Sequence, residues 1–230
     1  MKVYKTAIII PVKKFENSKT RLSSFLNVKE RIKLTELLIL DTLDRISKLK
    51  KCQIIIVSNE RIKLKDKYND IVIINENNNN GVNNAIELAN KYIENNEFSE
   101  SIIIPIDLPL LSTKELENII EFSRTFEKGI CIVPSRRFDG TNILLRKPNL
   151  VIETFYDNNS FYNHIKKTTE KQKIIKIFNY ENLMIDLDTI EDVKTIIDIY
   201  NNIIINEKIK IKKSKSINFL KEIMINKLKN

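Results

Sequence analysis

The residues best suited to chemistry are a few acids and cations placed next to apolar runs. Asp107 follows the run Ile102-Ile103-Ile104-Pro105-Ile106 and precedes Leu108 and Pro109. A short unbroken apolar run is the pattern of a strand buried on both faces. Proline cannot donate to a sheet ladder, so the strand is expected to stop near Pro109, with Asp107 at its carboxyl end. In open α/β sheets that edge is where ligands bind. An acid there suits Mg²⁺, which takes one or two carboxylates and leaves its other positions to water and substrate phosphates. It equally suits a cap on the turn into a helix opening near Thr113.

Asp186 and Asp188 alternate with apolar residues in Leu183-Met184-Ile185-Asp186-Leu187-Asp188. In an extended segment they face the same way. Two carboxylates on one side are costly unless a cation neutralises them. A metal shared with Asp107 would supply that cation. Thr189 or Asp188 can cap the helix that follows.

Lys13, Lys19 and Arg21 lie in a polar loop after the apolar segment Thr6–Val12. Phosphate loops normally use glycines so that backbone amides can approach the ligand. The whole chain has only 3 glycines, and none is here. A phosphate grip in this loop must rely on charge, the alternative being a solvated basic loop. Further on, Gly81 permits close backbone approach or a positive φ. Asn83 offers a donor and an acceptor to the edge or ribose of a nucleotide, or else caps the next helix. Ser160 opens a helix, where free amides and a hydroxyl can meet an anion. His164, the only histidine, reads as incidental, since no Ser-His-Asp arrangement accompanies it.

These residues must be positioned by alternating strands and helices. Strands are expected at Thr6–Val12, Gln53–Val57, Ile71–Ile74, Ile102–Ile106, Ile130–Pro134, Thr141–Leu145 and Ile174–Phe178. Helices are expected at Asn27–Leu49, Ala85–Glu94, Thr113–Phe122, Phe161–Lys171, Ile190–Tyr200 and Ser216–Lys229. Strand, helix and strand at these spacings predict an α/β fold with a mixed, mostly parallel sheet between helices. One domain over 1–200 is expected, with 201–230 as a basic, helical appendage that packs on the core, meets a partner or touches an acidic surface.

Lys and Arg number 39 against 30 Asp and Glu, a formal net charge of +9. That balance favours anionic partners without choosing among them. Cys52 and Cys131 read as reduced, buried thiols. Met1–Lys5 leads straight into a strand, which predicts no signal peptide. No apolar run approaches the ~18 residues of a membrane span, so a soluble, cytoplasmic protein is expected, with no membrane partner.

Several motifs together carry a resemblance: Ile10-Pro11-Val12-Lys13 with Lys19-Thr20-Arg21-Leu22-Ser23, then Gly81-Val82-Asn83-Asn84-Ala85, then Pro105-Ile106-Asp107-Leu108-Pro109-Leu110. Gly140-Thr141-Asn142, Asn159-Ser160-Phe161 with His164, and Asp186-Leu187-Asp188-Thr189 complete the set in order. The chain resembles the archaeal 2-phospho-L-lactate guanylyltransferases, which act in assembling coenzyme F-420. The resemblance implies a Rossmann-like, nucleotide-diphospho-sugar-transferase (GT-A-like) fold. It implies transfer of GMP from GTP to 2-phospho-L-lactate, with Mg²⁺ held by Asp107, Asp186 and Asp188. It places Lys13, Lys19, Arg21, Gly81 and Asn83 on the nucleotide, with Lys13, Lys19, Arg21 and Asp107 as the catalytic set. It places Thr141, Asp157 and Ser160 on the acceptor, and implies a homodimer. Asp157 stands where the family usually has glycine, and a carboxylate there is expected to turn outward or meet a cation. Val82 replaces the usual leucine.

Three rivals remain. A nucleotide-sugar pyrophosphorylase shares the fold, and fold alone does not exclude it. The same chemistry on phosphoenolpyruvate or another small phosphorylated acid is a further alternative. A nucleic-acid-binding protein accounts for the charge but not for acids at strand ends, so no nucleic-acid partner is expected.

Overall fold

The computed structural model describes residues 6–62, 64, 68, 70–77, 81–206 and 214–228. The basic run Lys208–Lys213, Lys229 and part of the Asn-rich stretch lie outside the described residues. In chain order the elements are β1 (Thr6–Val12), α1 (Val28–Ile46), β2 (Cys52–Ser58), β3 (Val72–Asn75), α2 (Val82–Glu94), β4 (Glu100–Ile103) and α3 (Thr113–Ser123). They continue with β5 (Gly129–Pro134), β6 (Thr141–Lys147), α4 (Ser160–Glu170), β7 (Ile174–Ile177), α5 (Glu181–Met184), α6 (Ile190–Asn206) and α7 (Lys215–Leu228).

The strands form one 7-stranded sheet in the order β3-β2-β1-β4-β6-β5-β7. β1 pairs parallel with β2 and β4, β2 with β3, and β5 with β7, while β6 runs antiparallel to both β4 and β5. The sheet is therefore mixed and mostly parallel, as the strand and helix alternation predicts. Its two faces are read directly from β1. Ile8, Ile10 and Val12 enter one core with Ile39 and Leu43 of α1 and Leu116 and Ile119 of α3. Ala7 and Ile9 enter the opposite core with Ala85, Ile86, Ala89 and Ile93 of α2. Burial of each such valine, leucine or isoleucine contributes roughly 1.5–3 kcal/mol.

Two features of this topology position a site. The chain leaves β1 and moves to β2 on one side, then returns to β4 on the other. The crevice beyond the carboxyl ends of β1 and β4 is thus the switch point at which doubly wound sheets bind ligands. The antiparallel β6 begins at Thr141, paired with Pro134 at the end of β5, so Thr141 starts at the same edge at which β4 and β5 finish.

The strand before Asp107 differs from expectation. β4 starts at Glu100 and ends at Ile103, although the Ile104 amide still donates to the Ile9 carbonyl at 3.0 Å. Pro105, rather than Pro109, removes the next donor. Asp107 therefore sits in the loop beyond β4. The buried acid at the strand start concealed it: the Glu100 carboxylate accepts from Thr6 Oγ1 at 2.6 Å.

The final helix lies against the body of the chain. α6 continues through position 200 to Asn206, so a boundary there falls inside a helix. Ile217, Leu220 and Ile223 of α7 share a core with Leu34 and Leu38 of α1 and with Val193, Ile196 and Tyr200 of α6. Asp41 of α1, 4% exposed, receives the Lys215 and Ser216 amides and the Ser214 and Ser216 hydroxyls at 2.7–3.0 Å. No helix among the described residues is long and apolar enough to cross a membrane.

Candidate active site

A cleft of about 930 Å³ opens at the carboxyl edge of the sheet. Lys13, Lys19 and Arg21 line it from the loop after β1, Asp107 from the loop after β4, and Asp186 and Asp188 from the segment before α6. Gly140, Thr141, Asp157 and Ser160 line it from the β6 and α4 side. Gly81 and Asn83 do not line it, whereas Val82 does.

The basic loop is held from below. Arg31 of α1, 7% exposed, donates from Nη1 to the carbonyls of Glu16 at 3.1 Å and Ser18 at 2.9 Å. Leu22 is buried in the α1–α6–α7 core. Between these anchors Lys19 takes φ 54°, a left-handed backbone that a non-glycine residue keeps only when its surroundings over-determine it. The result places Lys19 Nζ 2.8 Å from Asp107 Oδ2 and 3.1 Å from Asp188 Oδ1. Arg21 Nη1 lies 3.3 Å from Asp188 Oδ2, its side chain 67% exposed. Burial alone would lower the Lys19 pKa, but the charges of Asp107 and Asp188 outweigh it and raise the pKa above its usual value. Burial likewise works against Asp188, yet Lys19 and then Arg21 and Lys13 hold its carboxyl below the usual range.

The acid loops are locked together. The Leu187 amide donates to the Asp107 carbonyl at 2.9 Å. Asp192 Oδ2 accepts from the Asp188 and Thr189 amides, and the Thr189 hydroxyl accepts from the Asp192 amide. Thr189 is therefore the cap of α6, which leaves the Asp188 carboxylate to the cations. Asp186 has no ion pair among the described residues. Burial, and then the nearby Asp107 charge, push it up to about 6. Among the described residues no three acid, histidine or cysteine side chains stand ready to enclose a metal. The donor set is oxygen only, however, and one of its three acids lacks a counter-charge. That suits a hard cation whose remaining positions are filled by phosphate oxygens.

The other wall is built on glycine, a turn and a helix end. A Cβ on Gly140 would stand 3.2 Å from Ser135 Cβ, and the Gly140 amide donates to Ser135 Oγ at 2.9 Å. α4 opens at Ser160 after Asn159 at φ 51°, with no side chain capping its amides. Asn142 donates to the Leu183 carbonyl at 2.9 Å and lines the same cleft. Gly81 does have the positive φ its type permits, 92°. Asn83 lies inside α2 and does not cap it. Its Oδ1 accepts the Tyr156 amide at 2.9 Å and its Nδ2 donates to Asp157 Oδ2 at 3.0 Å. It thus ties α2 to the loop before α4. Asp157 is exposed at the cleft rim, and its carboxylate accepts from the Asn83 side-chain amide rather than from a cation among the described residues.

His164 has partners at both ring nitrogens. It is fully buried, 3.0 Å from Thr141 Oγ1 through Nδ1 and 2.9 Å from the Phe155 amide through Nε2. Arg31 stands in none of the motifs, and the contacts of Asn142 and His164 are not disclosed by the motifs that contain them. For Arg31 and His164 the available signal was a polar residue on the apolar face of a helix.

Family comparison decides what this architecture belongs to. The family model described as "Guanylyl transferase CofC like" matches residues 6–226. The chain belongs to the CofC-like guanylyl transferase family. A 2-phospho-L-lactate guanylyltransferase of Methanobrevibacter smithii is 32% identical over 189 residues, covering 82% of each chain. That of Methanocaldococcus jannaschii is 35% identical, covering 82% of this chain and 80% of its own. Among solved structures, a putative nucleotide-diphospho-sugar transferase from Desulfovibrio desulfuricans G20 matches with a TM-score of 0.71 at 14% identity, covering 95% of both chains. A nucleotidyl transferase from Methanothermobacter matches at 0.59 with 10% identity, covering 86% of this chain and 98% of its own. The CofC-like chain thus has a nucleotidyltransferase fold, and the match runs through α6 into α7.

Proposed function

We propose that this enzyme transfers GMP from GTP to 2-phospho-L-lactate, forming lactyl-2-diphospho-5′-guanosine and diphosphate, a step in coenzyme F-420 assembly. The observation that carries this is the layout of one cleft: a charge-based phosphate grip of Lys13, Lys19 and Arg21 on one wall, and Thr141 with the open α4 terminus on the other. The relatives' names supply the identity of the two substrates.

The chemistry needs little from the protein beyond placement. An oxygen of the acceptor's phosphate attacks the α-phosphorus of GTP. The bond from that phosphorus to the bridging oxygen breaks, and its electron pair leaves with diphosphate. A phosphate monoester is largely ionised near neutral pH, so no general base is required, and none of the cleft's residues need serve as one. Rate then comes from positioning and from stabilising charge on the transferring group. Lys19 and Arg21 can turn from Asp107 and Asp188 to the triphosphate. Asp107, Asp186 and Asp188 would hold Mg²⁺, which when bound supplies neutralisation of the phosphate oxygens. The α4 amides and the Ser160 and Thr141 hydroxyls orient the acceptor.

A matrix of nucleoside triphosphates against 2-phospho-L-lactate, phosphoenolpyruvate and 3-phosphoglycerate, followed by diphosphate release, tests the assignment. GTP with 2-phospho-L-lactate should give the highest kcat/KM. A higher value for any other pair would replace the named substrate.

A further inference from the structure

His164 faces the cleft only through another residue, and its two ring nitrogens have fixed roles. A backbone amide can only donate. The Phe155 amide therefore donates to Nε2 at 2.9 Å, and Nε2 must carry a lone pair. The proton of the neutral ring then sits on Nδ1. Nδ1 faces Thr141 Oγ1 at 3.0 Å, so Thr141 accepts from the ring. Its own hydroxyl hydrogen must point elsewhere. The Thr141 hydroxyl has no other hydrogen-bond partner among the described residues, and it lines the cleft beside Gly140 and Ser160.

We propose that His164 is a positioning residue that fixes the Thr141 hydroxyl as a hydrogen-bond donor aimed at an anionic oxygen of the acceptor. The relay runs from the Phe155 amide to Nε2, from Nδ1–H to Thr141 Oγ1, and from the Thr141 hydroxyl to the ligand. The ring is kept in place by packing: it meets Tyr156 edge-on at 5.1 Å and Phe155 at 6.2 Å between ring centres. A donor so fixed favours an anionic oxygen over a neutral one, because a hydrogen bond to an ionised acceptor is the stronger. This inference rests on the proposed acceptor site, and it concerns how that site is oriented rather than which acid fills it.

Two measurements test it. Because the chain has 1 histidine, ¹⁵N-histidine labelling reports on this ring alone, and NMR at neutral pH should show the Nδ1-protonated tautomer. The Nε2-protonated tautomer would overturn the proposal without reference to any substrate. The second measurement compares two replacements. The amide nitrogen of His164→Asn can take the place of Nδ1, whereas His164→Gln reaches only the position of Nε2. His164→Gln should raise the KM for 2-phospho-L-lactate about tenfold, the effect of one lost hydrogen bond to a charged group, with the KM for GTP unchanged. His164→Asn should stay within about threefold of wild type. In a Thr141→Val background, His164→Gln should add nothing further. Equal effects of the two replacements, a parallel rise in the KM for GTP, or a persistent effect without the Thr141 hydroxyl would each sink the relay. A wrong acceptor reads differently: wild type would then fail to turn over 2-phospho-L-lactate while the tautomer stands, and the variants would be compared on the acid that the substrate matrix selects.

Discussion

The Leu187 amide donates to the Asp107 carbonyl at 2.9 Å, and this bond fastens the loop after β4 to the segment carrying Asp186 and Asp188. Two loops far apart in sequence are thereby held at one sheet edge, with Lys19 Nζ between Asp107 and Asp188 at 2.8 and 3.1 Å. Asp107→Asn keeps the side chain's shape and the carbonyl bond but removes one charge. Turnover should fall about a hundredfold or more, since charge stabilisation at a transferring phosphoryl group is worth several kcal/mol. Steady-state diphosphate release measures this. Full wild-type activity after thorough chelation by EDTA would remove the reason for the acids.

Lys19→Ala leaves Asp107 and Asp188 facing each other without the cation that separates them. The variant should melt below wild type in metal-free buffer, and Mg²⁺ should recover more of its Tm than it adds to wild type. The KM for GTP should also rise. Identical Mg²⁺ shifts in the two proteins, with unchanged GTP kinetics, would return this loop to the status of a solvated basic loop.

Asp41 is the anchor of α7. Asp41→Ala would leave the Ser214 and Ser216 hydroxyls and the Lys215 and Ser216 amides without their acceptor. Buried donors left unmade cost about 1–3 kcal/mol, so the urea midpoint should drop while the folded enzyme keeps its kcat, because Asp41 lies outside the cleft. Loss of activity with an unchanged midpoint would mean that α7 acts on the site and not on the fold.

His164 also makes stability depend on pH. Burial, and then the Arg146 charge, lower its pKa from 6.5 to about 3. Below pH 6.5 the unfolded chain therefore binds a proton that the folded chain refuses until about pH 3. The unfolded state is favoured as pH falls, by about 1.4 kcal/mol per pH unit across that window. His164→Asn cannot titrate. The unfolding free energy of wild type minus that of the variant should be flat above pH 6.5 and fall below it. A difference that stays level down to pH 5 would show that the ring charges freely in the folded protein.

Much of this was legible in the chain itself. The run Thr6–Val12 announces a strand buried on both faces, and the alternation around Asp186 and Asp188 announces two same-facing acids. The basic loop without glycine leaves any phosphate grip to charge, and its three cations do line the cleft. What the sequence could not carry was long-range geometry. Asn83 has the chemistry of a nucleotide contact, yet its amide is taken by Tyr156 and Asp157, residues that only the fold brings near. Arg31 stands on the apolar face of α1, but nothing in the sequence shows that the carbonyls of Glu16 and Ser18 lie over it. β4 starts earlier than its apolar run because Glu100, a poor strand residue by type, is held by hydroxyl donors from Thr6 of β1 and Ser123 of α3. His164 is a single polar letter on an apolar helix face, and only its two hydrogen bonds assign its role.

Ser160 gives the sharpest test of which wall holds the acceptor. It is 3% exposed, opens α4, and lines the cleft opposite Lys19 and Arg21. A hydroxyl beside free helix amides suits an anion, and the cations across the cleft suit a triphosphate. Asp157 lies on the same wall, but its carboxylate is engaged by Asn83 at 3.0 Å, which draws its charge toward α2. Ser160→Ala should therefore raise the KM for the phosphorylated acid about tenfold, the effect of losing one hydrogen bond to a charged group, while the KM for GTP moves less than twofold. Each substrate is varied in turn at saturation of the other. If both KM values rise together, or only that for GTP, the acceptor does not lie on the α4 wall, and the two substrates must be exchanged between the two sides of the cleft.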